Sequence, residues 1–424
     1  TTNSFMKREF GAKLVEEYLP TVDLTHVIDT SGAYIPGHGT PTVILFGRHR
    51  GPVGETVRTV MGIKGEPATP ADPAQGLVWR AIVGQVDRAG SESAFVSVVD
   101  TPRETFNTHP WSIGGGGASN LLDFLDEVRE GVIRDHAEVY GGTGRTSADD
   151  AMTAPMRAFA RRGVERALYL PLVEGDQVRD WIVQGGEAIL SPYSDGALVE
   201  IRDLPGLLKW LWRVRTLLGN RVTFGKTTYF AEGRAWWEWH QITPARLRYQ
   251  HAIPFAEVAT HNHFVLDRGG KVFKQTAPVI KLPADADEDA HLGLLGLLNS
   301  SVACFWLKQV CQSKGGGGIN EGHRGDLWEF FFQFNSTKVA EFPLTGARPL
   351  DLARRLDALA RQLTDTLPDA LLAREVPTRA ALDAARDQAA RLRAQMIALQ
   401  EELDWRCYRL YRLIDAPLET ASPP

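Results

Sequence analysis

The chain has 424 residues, of which 43% are hydrophobic and 23% charged, a composition ordinary for a globular protein of two or three domains. It excludes disorder over the whole length and, with only Cys304, Cys311 and Cys407, a disulfide-stapled scaffold, so a reducing, cytoplasmic compartment is expected. No apolar run reaches the ~18 residues of a membrane helix, so no membrane partner is expected, and the formal net charge of −5 gives no overall nucleic-acid signal.

The first 50 residues predict the edge of an α/β sheet. Apolar residues recur at helical spacing over residues 5–18, and β-branched stretches at 26–29 and 42–46 predict two strands joined by a Gly/Pro-rich loop. One helix and two strands bury too little apolar surface to fold alone. The chain also opens on Thr1-Thr2-Asn3 without an initiator Met, and we expect a fragment or a processed product that begins inside a structural unit.

Residues 51–139 predict a connector in which short strands and helices alternate. Its expected elements are strands at 57–63 and 94–99 and helices at 77–86 and 121–132. Residues 140–345 follow as a mixed, aromatic-rich α+β segment. Within that segment the apolar run 292–310 predicts one helix that carries Cys304 and Cys311 as buried thiols.

Residues 346–424 form a helical tail rich in Ala, Leu, Arg and Asp. Pro368 and Pro377 interrupt the pattern, and a final helix is expected from about 379 to 411. Apolar side chains at steps of three and four residues predict one continuous stripe along it: Leu382, Ala385, Ala389, Leu392, Met396, Leu399 and Leu403. We expect an intramolecular helical hairpin with Trp405 on the same face, and a dimerising coiled coil is the alternative.

A basic segment stands out against the acidic average. Between Lys209 and Lys281 twelve basic residues face four acidic ones, a local net charge of +8. They interleave with aromatic residues such as Trp236, Trp237 and Trp239, and this mixture is typical of a phosphate-contacting surface. The alternative is an ordinary solvated face with the tryptophans in the core beneath it.

Several strings imitate catalytic motifs and are rejected by their spacing. Gly37-His38-Gly39 joins two strands and lacks the third glycine of a dinucleotide loop. His261-Asn262-His263 lacks the distant ligands of a metal-dependent nuclease, and hydrogen-bonding core histidines are expected. The glycine run 114–117 predicts a flexible lead into a helix, and 315–318 predicts either a disordered loop or a close approach to a ligand. No metal site or catalytic residue is predicted.

Several segments together carry a family resemblance. Residues 5–11 and 23–45 resemble the end of an N6-adenine DNA methyltransferase domain, more narrowly that of phage-exclusion systems (BREX, or phage growth limitation; the PglX type). Its relatives include type IIG restriction-modification enzymes. Other segments resemble the family's target recognition domain, at 140–151, 236–241, 260–264, 297–301 and 342–344, and its C-terminal helix, at 400–411. The resemblance covers nearly the whole chain.

The resemblance implies a fold of α/β and α+β parts. Residues 1–50 would supply the terminal strand pair of a class I methyltransferase sheet, 51–139 a connector, 140–345 a mixed α+β target recognition domain and 346–424 a helical hairpin. In this family the glycine-rich S-adenosylmethionine motif and the Asn-Pro-Pro-Tyr motif precede that strand pair, and neither occurs here. No catalytic or cofactor-binding residue is therefore assigned, and the chain alone is expected to bind no S-adenosylmethionine and to transfer no methyl group.

The implied partner is double-stranded DNA, with other phage-exclusion proteins as further candidates. A recognition domain reads base edges and fixes its register through phosphates, while the methyltransferase flips the adenine out. The candidate DNA contacts are Lys226, Arg246, Arg248, Lys271, Lys274, Lys314, Asn320 and Arg324. Two alternatives stay open: part of a single-chain restriction-modification enzyme with a nuclease domain, and a separate specificity module that acts in trans.

Overall fold

The N-terminal region is built on a four-stranded mixed sheet. The computed structural model describes residues 1–111, 113–115, 117–179, 181–194, 196–315, 331–374 and 376–416. The first elements are β1 (Asp23–Asp29), β2 (Val43–Arg48), β3 (Thr56–Gly62), α1 (Leu77–Gln85) and β4 (Val96–Pro102). The strand order is β2-β1-β3-β4, with β1 antiparallel to β2 and parallel to β3.

Apolar side chains of these strands point to both faces of the sheet, and each face is covered by a hydrophobic core. Val27 and Ile28 are adjacent in β1 and, because successive strand residues point to opposite faces, they enter different cores. Val27 packs with Phe5 and Trp111 on one face, whereas Ile28 packs on the other face with side chains of α1 such as Ile82. The predicted strands and the predicted helix at 77–86 are present with boundaries shifted by a few residues.

The N-terminal helix expected over 5–18 is broken into short turns. Two 3₁₀ turns at Asn3–Met6 and Glu9–Gly11 precede a π-helical turn at Leu14–Tyr18. The backbone of Phe5 lies against Gly11 so closely that a Cβ there would stand 1.8 Å from the Phe5 carbonyl oxygen. This contact folds the chain back on itself and prevents one continuous helix.

Short elements make up the middle of the chain. Those of residues 118–219 are α2 (Ala118–Glu127), β5 (Gly131–Val132), β6 (Glu138–Tyr140), β7 (Gly144–Arg145), α3 (Asp149–Met152), β8 (Thr153–Ala154), α4 (Met156–Arg161), β9 (Tyr169–Val173), β10 (Val178–Arg179), β11 (Ile182–Val183), β12 (Ala188–Leu190), β13 (Tyr193–Ser194), β14 (Ala197–Leu198), α5 (Pro205–Trp212) and α6 (Arg215–Gly219). The helix expected at 121–132 ends at Glu127 because β5 pairs with a later strand, Val132 opposite Pro343.

The remaining elements reach the C-terminal tail. They are β15 (Gln241–Ile242), β16 (Ile253–Pro254), β17 (Val258–Ala259), β18 (Val272–Phe273), β19 (Val279–Lys281), α7 (Glu288–Leu298), α8 (Ser301–Val310), β20 (Gln312–Gly315), β21 (Phe331–Gln333), α9 (Ser336–Ala340), β22 (Pro343–Leu344), α10 (Leu350–Asp365), α11 (Pro368–Arg374) and α12 (Arg379–Leu410). The sheet β18-β9-β12-β8 and the pair β15-β7 frame the basic segment.

Two further hydrophobic cores hold the elements that follow the N-terminal sheet. The smaller one, called the second core, contains Phe159, Leu211, Trp236 and Trp239 and is formed by residues between 152 and 272. The largest core draws side chains from residues 122–140, 173–182, 252–344 and 352–411. It therefore joins segments on both sides of the domain boundaries expected at 139/140 and 345/346, and those boundaries stay predictions.

The helix expected over 292–310 is in fact two helices. Between them Asn299 exchanges two hydrogen bonds with the Phe264 backbone, at 3.0 and 2.9 Å, and the Ser300 hydroxyl accepts from Ala303 N–H and caps α8. No single helix in the described part of the chain is long and apolar enough to cross a membrane. Only α7 and α8 taken together pass such a test, and they meet at 65°.

Candidate nucleic-acid interface

The structure splits the basic segment 209–281 into two parts with different surroundings. Residues 209–240 include α5, α6 and the tryptophans around the second core, where Trp236 and Trp239 are buried. Residues 246–281 lie on the largest core, and many of their cations face carboxylates. The two parts therefore differ in the positive charge that they offer to a polyanion.

Three of the predicted contacts in the second part are ion-paired within the protein. Lys271 pairs with Asp267, whose side chain is 1% exposed. Lys274 reaches Glu174 at 2.5 Å and Asp149 at 3.3 Å. Such pairs neutralise most of the charge that a phosphate would otherwise meet.

Arg246 is the third of these. It bonds Glu138 at 3.2 Å and lies 4.0 Å above the centre of the Tyr140 ring. The half-buried guanidinium is thus held between a carboxylate and an aromatic face. These two contacts hold the guanidinium within the protein.

The other predicted contacts have more open positions. Lys226, Arg248 and Lys314 are exposed, and Lys226 has a left-handed backbone with φ of 62°. Lys314 lies in β20. Asn320 and Arg324 fall outside the described residues.

An arginine–tryptophan surface, formed by Trp210, Trp212, Arg213, Arg215 and Phe230, adjoins Lys226 along the chain. The Arg213 guanidinium lies 5.2 Å from the Trp210 ring, and that of Arg215 lies 5.0 Å from Trp212 and 5.2 Å from Phe230. Trp212 is 59% exposed. Neither arginine forms an ion pair with a described residue, so both keep their charge for a ligand.

Arg213 and Arg215 are not among the contacts that the sequence predicts. The signal that points to them is the alternation of Trp210-Leu211-Trp212-Arg213-Val214-Arg215, in which a helix end sets bulky rings beside cations. Net charge over a long window gave no reason to rank them above Lys271 or Lys274. Only the ion pairs in the folded chain separate the two groups.

Arg221 is a buried arginine that links the chain segments next to the arginine–tryptophan surface. Its guanidinium, 7% exposed, donates to four backbone carbonyl oxygens, those of Leu218, Thr146, Trp236 and Glu238. Burial lowers the pKa of Arg221, yet an arginine stays charged in any protein environment. It also lies 4.3 Å from the Tyr229 ring, which Arg234 approaches at 4.6 Å. These hydrogen bonds connect α6 to the loop after β7 and to residues 236–238.

Beyond Arg221 the chain makes a tight loop, residues 222–228. Thr223 N–H donates to the Thr227 carbonyl at 2.8 Å, and Lys226 N–H donates to the Thr223 carbonyl at 3.0 Å. The hydroxyls of Thr223 and Thr227 both donate to the Glu232 carboxylate, and these bonds lower its pKa. The loop is thereby fixed by its own polar groups.

A cleft of about 820 Å³ opens between residues 144–151, α6 and residues 272–275. Its polar lining includes Arg145, Asp149, Asn220 and Gln275. Arg145 donates to Gln275 across it at 2.6 Å. Donors and acceptors mixed in this way suit hydrogen bonds to base edges better than contacts to phosphates alone.

The motif-like strings have structural explanations. Asn262 donates to the carbonyl oxygens of Leu298, at 2.6 Å, and Ser300, at 3.3 Å, so it fastens the junction of α7 and α8. Burial lowers the pKa of His263 to about 3 and raises that of the Cys311 thiol to about 12. Among the described residues no cluster of His, Cys, Asp or Glu could hold a metal ion.

S-adenosylmethionine does not fit the residues of the N-terminal sheet. A cavity of about 440 Å³ there is lined by Tyr34, Pro36, Trp79 and other uncharged side chains. The cofactor carries an amino group, a carboxylate and a sulfonium, and no side chain of this lining is charged.

Comparison with known proteins identifies a sequence relative. The chain is 48% identical over 432 aligned residues to an adenine-specific methyltransferase, PglX, of Streptomyces coelicolor, an alignment that takes in 100% of this chain and 36% of that protein. The chain thus spans about a third of the length of the relative. No family model matches it.

Among solved structures, the chain resembles the Type IIL restriction-modification enzyme MmeI in complex with DNA (TM-score 0.43, 12% identity, 97% of this chain and 49% of that one). It also resembles the type IIG restriction endonuclease BpuSI (TM-score 0.38, 12% identity, 97% and 47%). Both TM-scores are low, so the family relationship rests on the sequence identity alone. That relationship confirms the resemblance seen in the sequence: over its whole length the chain is similar to about a third of an adenine-specific methyltransferase of the PglX type.

Proposed function

We propose that this chain carries the DNA sequence recognition of a site-specific N6-adenine DNA methyltransferase of a phage-exclusion system. The complete enzyme would use S-adenosylmethionine, and its catalytic motifs would lie upstream of the residues described. Double-stranded DNA is the proposed partner of residues 140–345, and residues 346–424 brace them against the remainder. The antiparallel pair β1-β2 would close a class I methyltransferase sheet.

The observation that carries the proposal is the arginine–tryptophan surface in a chain 48% identical to an adenine-specific methyltransferase. Arg213 and Arg215 are exposed, stacked on tryptophan rings and unpaired with any acid in the described part of the chain. They belong to a stretch, residues 209–226, that contains five basic residues and no acidic one, in a protein whose net charge is −5. Such unpaired cations raise the affinity for DNA, because their contacts with phosphates release condensed counterions.

Two other functions are compatible with the same surface. A nuclease motif upstream of these residues would favour a single-chain restriction-modification enzyme. A separate catalytic subunit encoded elsewhere would favour a specificity module that acts in trans. In either case the DNA contacts proposed for this chain would be the same.

A salt titration of DNA binding tests the proposal. Arg213→Ala, Arg215→Ala and Lys226→Ala should each weaken binding about equally across DNA sequences and reduce the salt slope by about one unit, because each removes one phosphate contact. The measurement is the dissociation constant for a duplex at several salt concentrations.

The ion-paired lysines are the matched controls. Lys271→Ala and Lys274→Ala remove the same unit charge, but these lysines already face Asp267 and Glu174. We expect smaller changes in their salt slopes. If they lower the slope as much as Arg213→Ala, the original prediction of DNA contacts at Lys271 and Lys274 is supported instead, and an absence of DNA binding by the unmodified protein would refute the proposed function.

A further inference from the structure

Phe224 is the most exposed aromatic side chain of the loop and its surroundings. It lies in the 222–228 loop and is 74% exposed, whereas Tyr229, Trp236 and Trp239 nearby are buried. Leaving a phenylalanine in water forgoes the burial that drives folding. Its ring contributes little to the second core and is available to a partner.

The loop presents this ring in a fixed position. Backbone bonds between Thr223 and Thr227 and the shared carboxylate of Glu232 close the turn on either side of Phe224. Its ring packs against the His240 ring, with centroids 4.6 Å apart, and the Tyr229 hydroxyl lies 3.1 Å from His240 Nδ1. A ring held in this way loses little conformational entropy when it binds.

The charges of the residues near Phe224 in the chain indicate what kind of partner its ring would bind. Residues 209–234 contain six basic residues and one acidic residue, Glu232, whose carboxylate is engaged within the loop. Lys226 follows Phe224 by two residues in a left-handed conformation that lysine rarely adopts, with φ of 62°. Among these cations Arg213, Arg215 and Lys226 form no ion pair with a described residue, and Lys226 is the nearest to the ring in the chain. An exposed ring in such a basic stretch matches an anionic polymer that carries flat apolar groups, and DNA is such a polymer.

We propose that Phe224 is a wedge that stacks against a nucleobase of DNA bound to the arginine–tryptophan surface. The inference rests on the proposed DNA recognition and deepens it. The cations of Arg213, Arg215 and Lys226 hold phosphates, while the Phe224 ring contacts the apolar face of a base at a disturbed step of the duplex. The ring itself adds no charge to the interface.

The test uses the full-length protein and a duplex that it selects from a random library. 2-Aminopurine replaces each adenine of that duplex in turn, and its fluorescence rises where a base is unstacked. The unmodified protein should raise the fluorescence at one step, and Phe224→Ala should abolish that rise. Loss of one stacked base predicts roughly 5- to 100-fold weaker binding, with an unchanged salt slope.

Two further variants sharpen the test. Phe224→Tyr keeps an aromatic face and should restore both affinity and fluorescence. Phe46→Ala is the matched control: Phe46 in β2 is also exposed, at 52%, and also packs against a histidine ring, that of His26 at 5.8 Å. This control should bind DNA as the unmodified protein does.

The possible outcomes separate the two proposals. If the unmodified protein selects no DNA, the proposed function fails and the wedge fails with it. If DNA is bound but Phe224→Ala leaves affinity and fluorescence unchanged, the wedge is overturned and the proposed function stands. A loss of affinity with an unaltered fluorescence pattern also overturns it, because no base would then be unstacked by the ring.

Discussion

Arginine residues close together in the chain have opposite environments. Arg215 is exposed and rests on two aromatic rings, whereas Arg221, six residues later, is buried and donates to four carbonyl oxygens. A planar guanidinium has five donors in a fixed fork and can serve several carbonyls at once. One arginine is therefore available to a ligand, and the other holds the surface together.

Substitution should separate these two kinds of arginine. Arg221→Ala leaves four carbonyl groups without their donor, and we expect a loss of roughly 3 kcal/mol or more in the free energy of unfolding. Arg215→Ala removes exposed cation–π contacts and should cost only about 0.5–1 kcal/mol. Urea unfolding curves for the two variants measure the difference, and equal losses would contradict the buried role of Arg221.

The helical tail shows how far an amphipathic stripe predicts burial. In α12 the side chains of Leu392, Met396, Leu399 and Leu403 are buried as the spacing predicts, but Leu382 at the start of the helix is 38% exposed. Those four side chains share the largest core with α10 residues such as Leu356. The stripe is therefore continuous in sequence, while the structure covers only its later part.

Near the end of α12 the buried aromatic is Tyr411 rather than Trp405. Tyr411 is fully buried and its hydroxyl donates to the Pro343 carbonyl at 2.7 Å, while Trp405 is only half-buried beside Tyr408. The expected burial of Trp405 is thus only partly realised. The tertiary contact with β22 decides which ring is enclosed.

The two rings should differ in their effect on stability. Tyr411→Ala empties a closed site and should cost about 3–5 kcal/mol, whereas Trp405→Ala should cost about 1–2 kcal/mol because water already reaches that ring. Thermal or urea unfolding measures both. DNA site preference should stay the same in each variant, and a changed preference with full stability would show that the tail contacts DNA.

The whole molecule is joined through its largest core. That core contains side chains of residues 252–344 and of the helical tail, and α8 within it also contacts the N-terminal region, where Lys7 donates to the Lys308 carbonyl at 3.2 Å. Burial lowers the pKa of Lys7 to about 8. Contacts of this kind connect the N-terminal region to the largest core.

Two buried histidines, His263 and His291, should make the free energy of unfolding depend on pH. Burial, with His261 and Arg179 nearby, lowers the pKa of His263 to about 3, and burial also lowers the pKa of His291. Between pH ~6.5 and ~3 the unfolded chain binds a proton at His263 that the folded chain does not. The contribution of this histidine to stability should therefore fall with acid, by up to about 1.4 kcal/mol per pH unit, and should not change above pH ~7.

Unfolding at a series of pH values between 7 and 5 measures this dependence. His263→Gln removes the titrating group, so its stability should vary less with pH than that of the unmodified protein, whatever its absolute value. A variant that keeps the full slope would show that other groups cause the acid sensitivity.

The sequence by itself determined the strands of the N-terminal sheet, the helices α1 and α12 and the resemblance to the PglX type. Alternation in β1, β3 and β4 and helical spacing in α1 and α12 are properties of neighbouring residues, so they are readable before folding. The segments at 5–11, 23–45 and 400–411 identified the relationship that the 48% identity confirms. The +8 charge of residues 209–281 likewise needed only counting.

Tertiary structure decided which cations are free and where helices end. Lys271, Lys274 and Arg246 look like Arg213 and Arg215 in the sequence, but their carboxylate partners lie 4 to 125 residues away and meet them only in the folded chain. The break between α7 and α8 depends on bonds from Asn299 to the distant Phe264. Charge and helix propensity are local, whereas pairing and burial depend on contacts between distant parts of the chain.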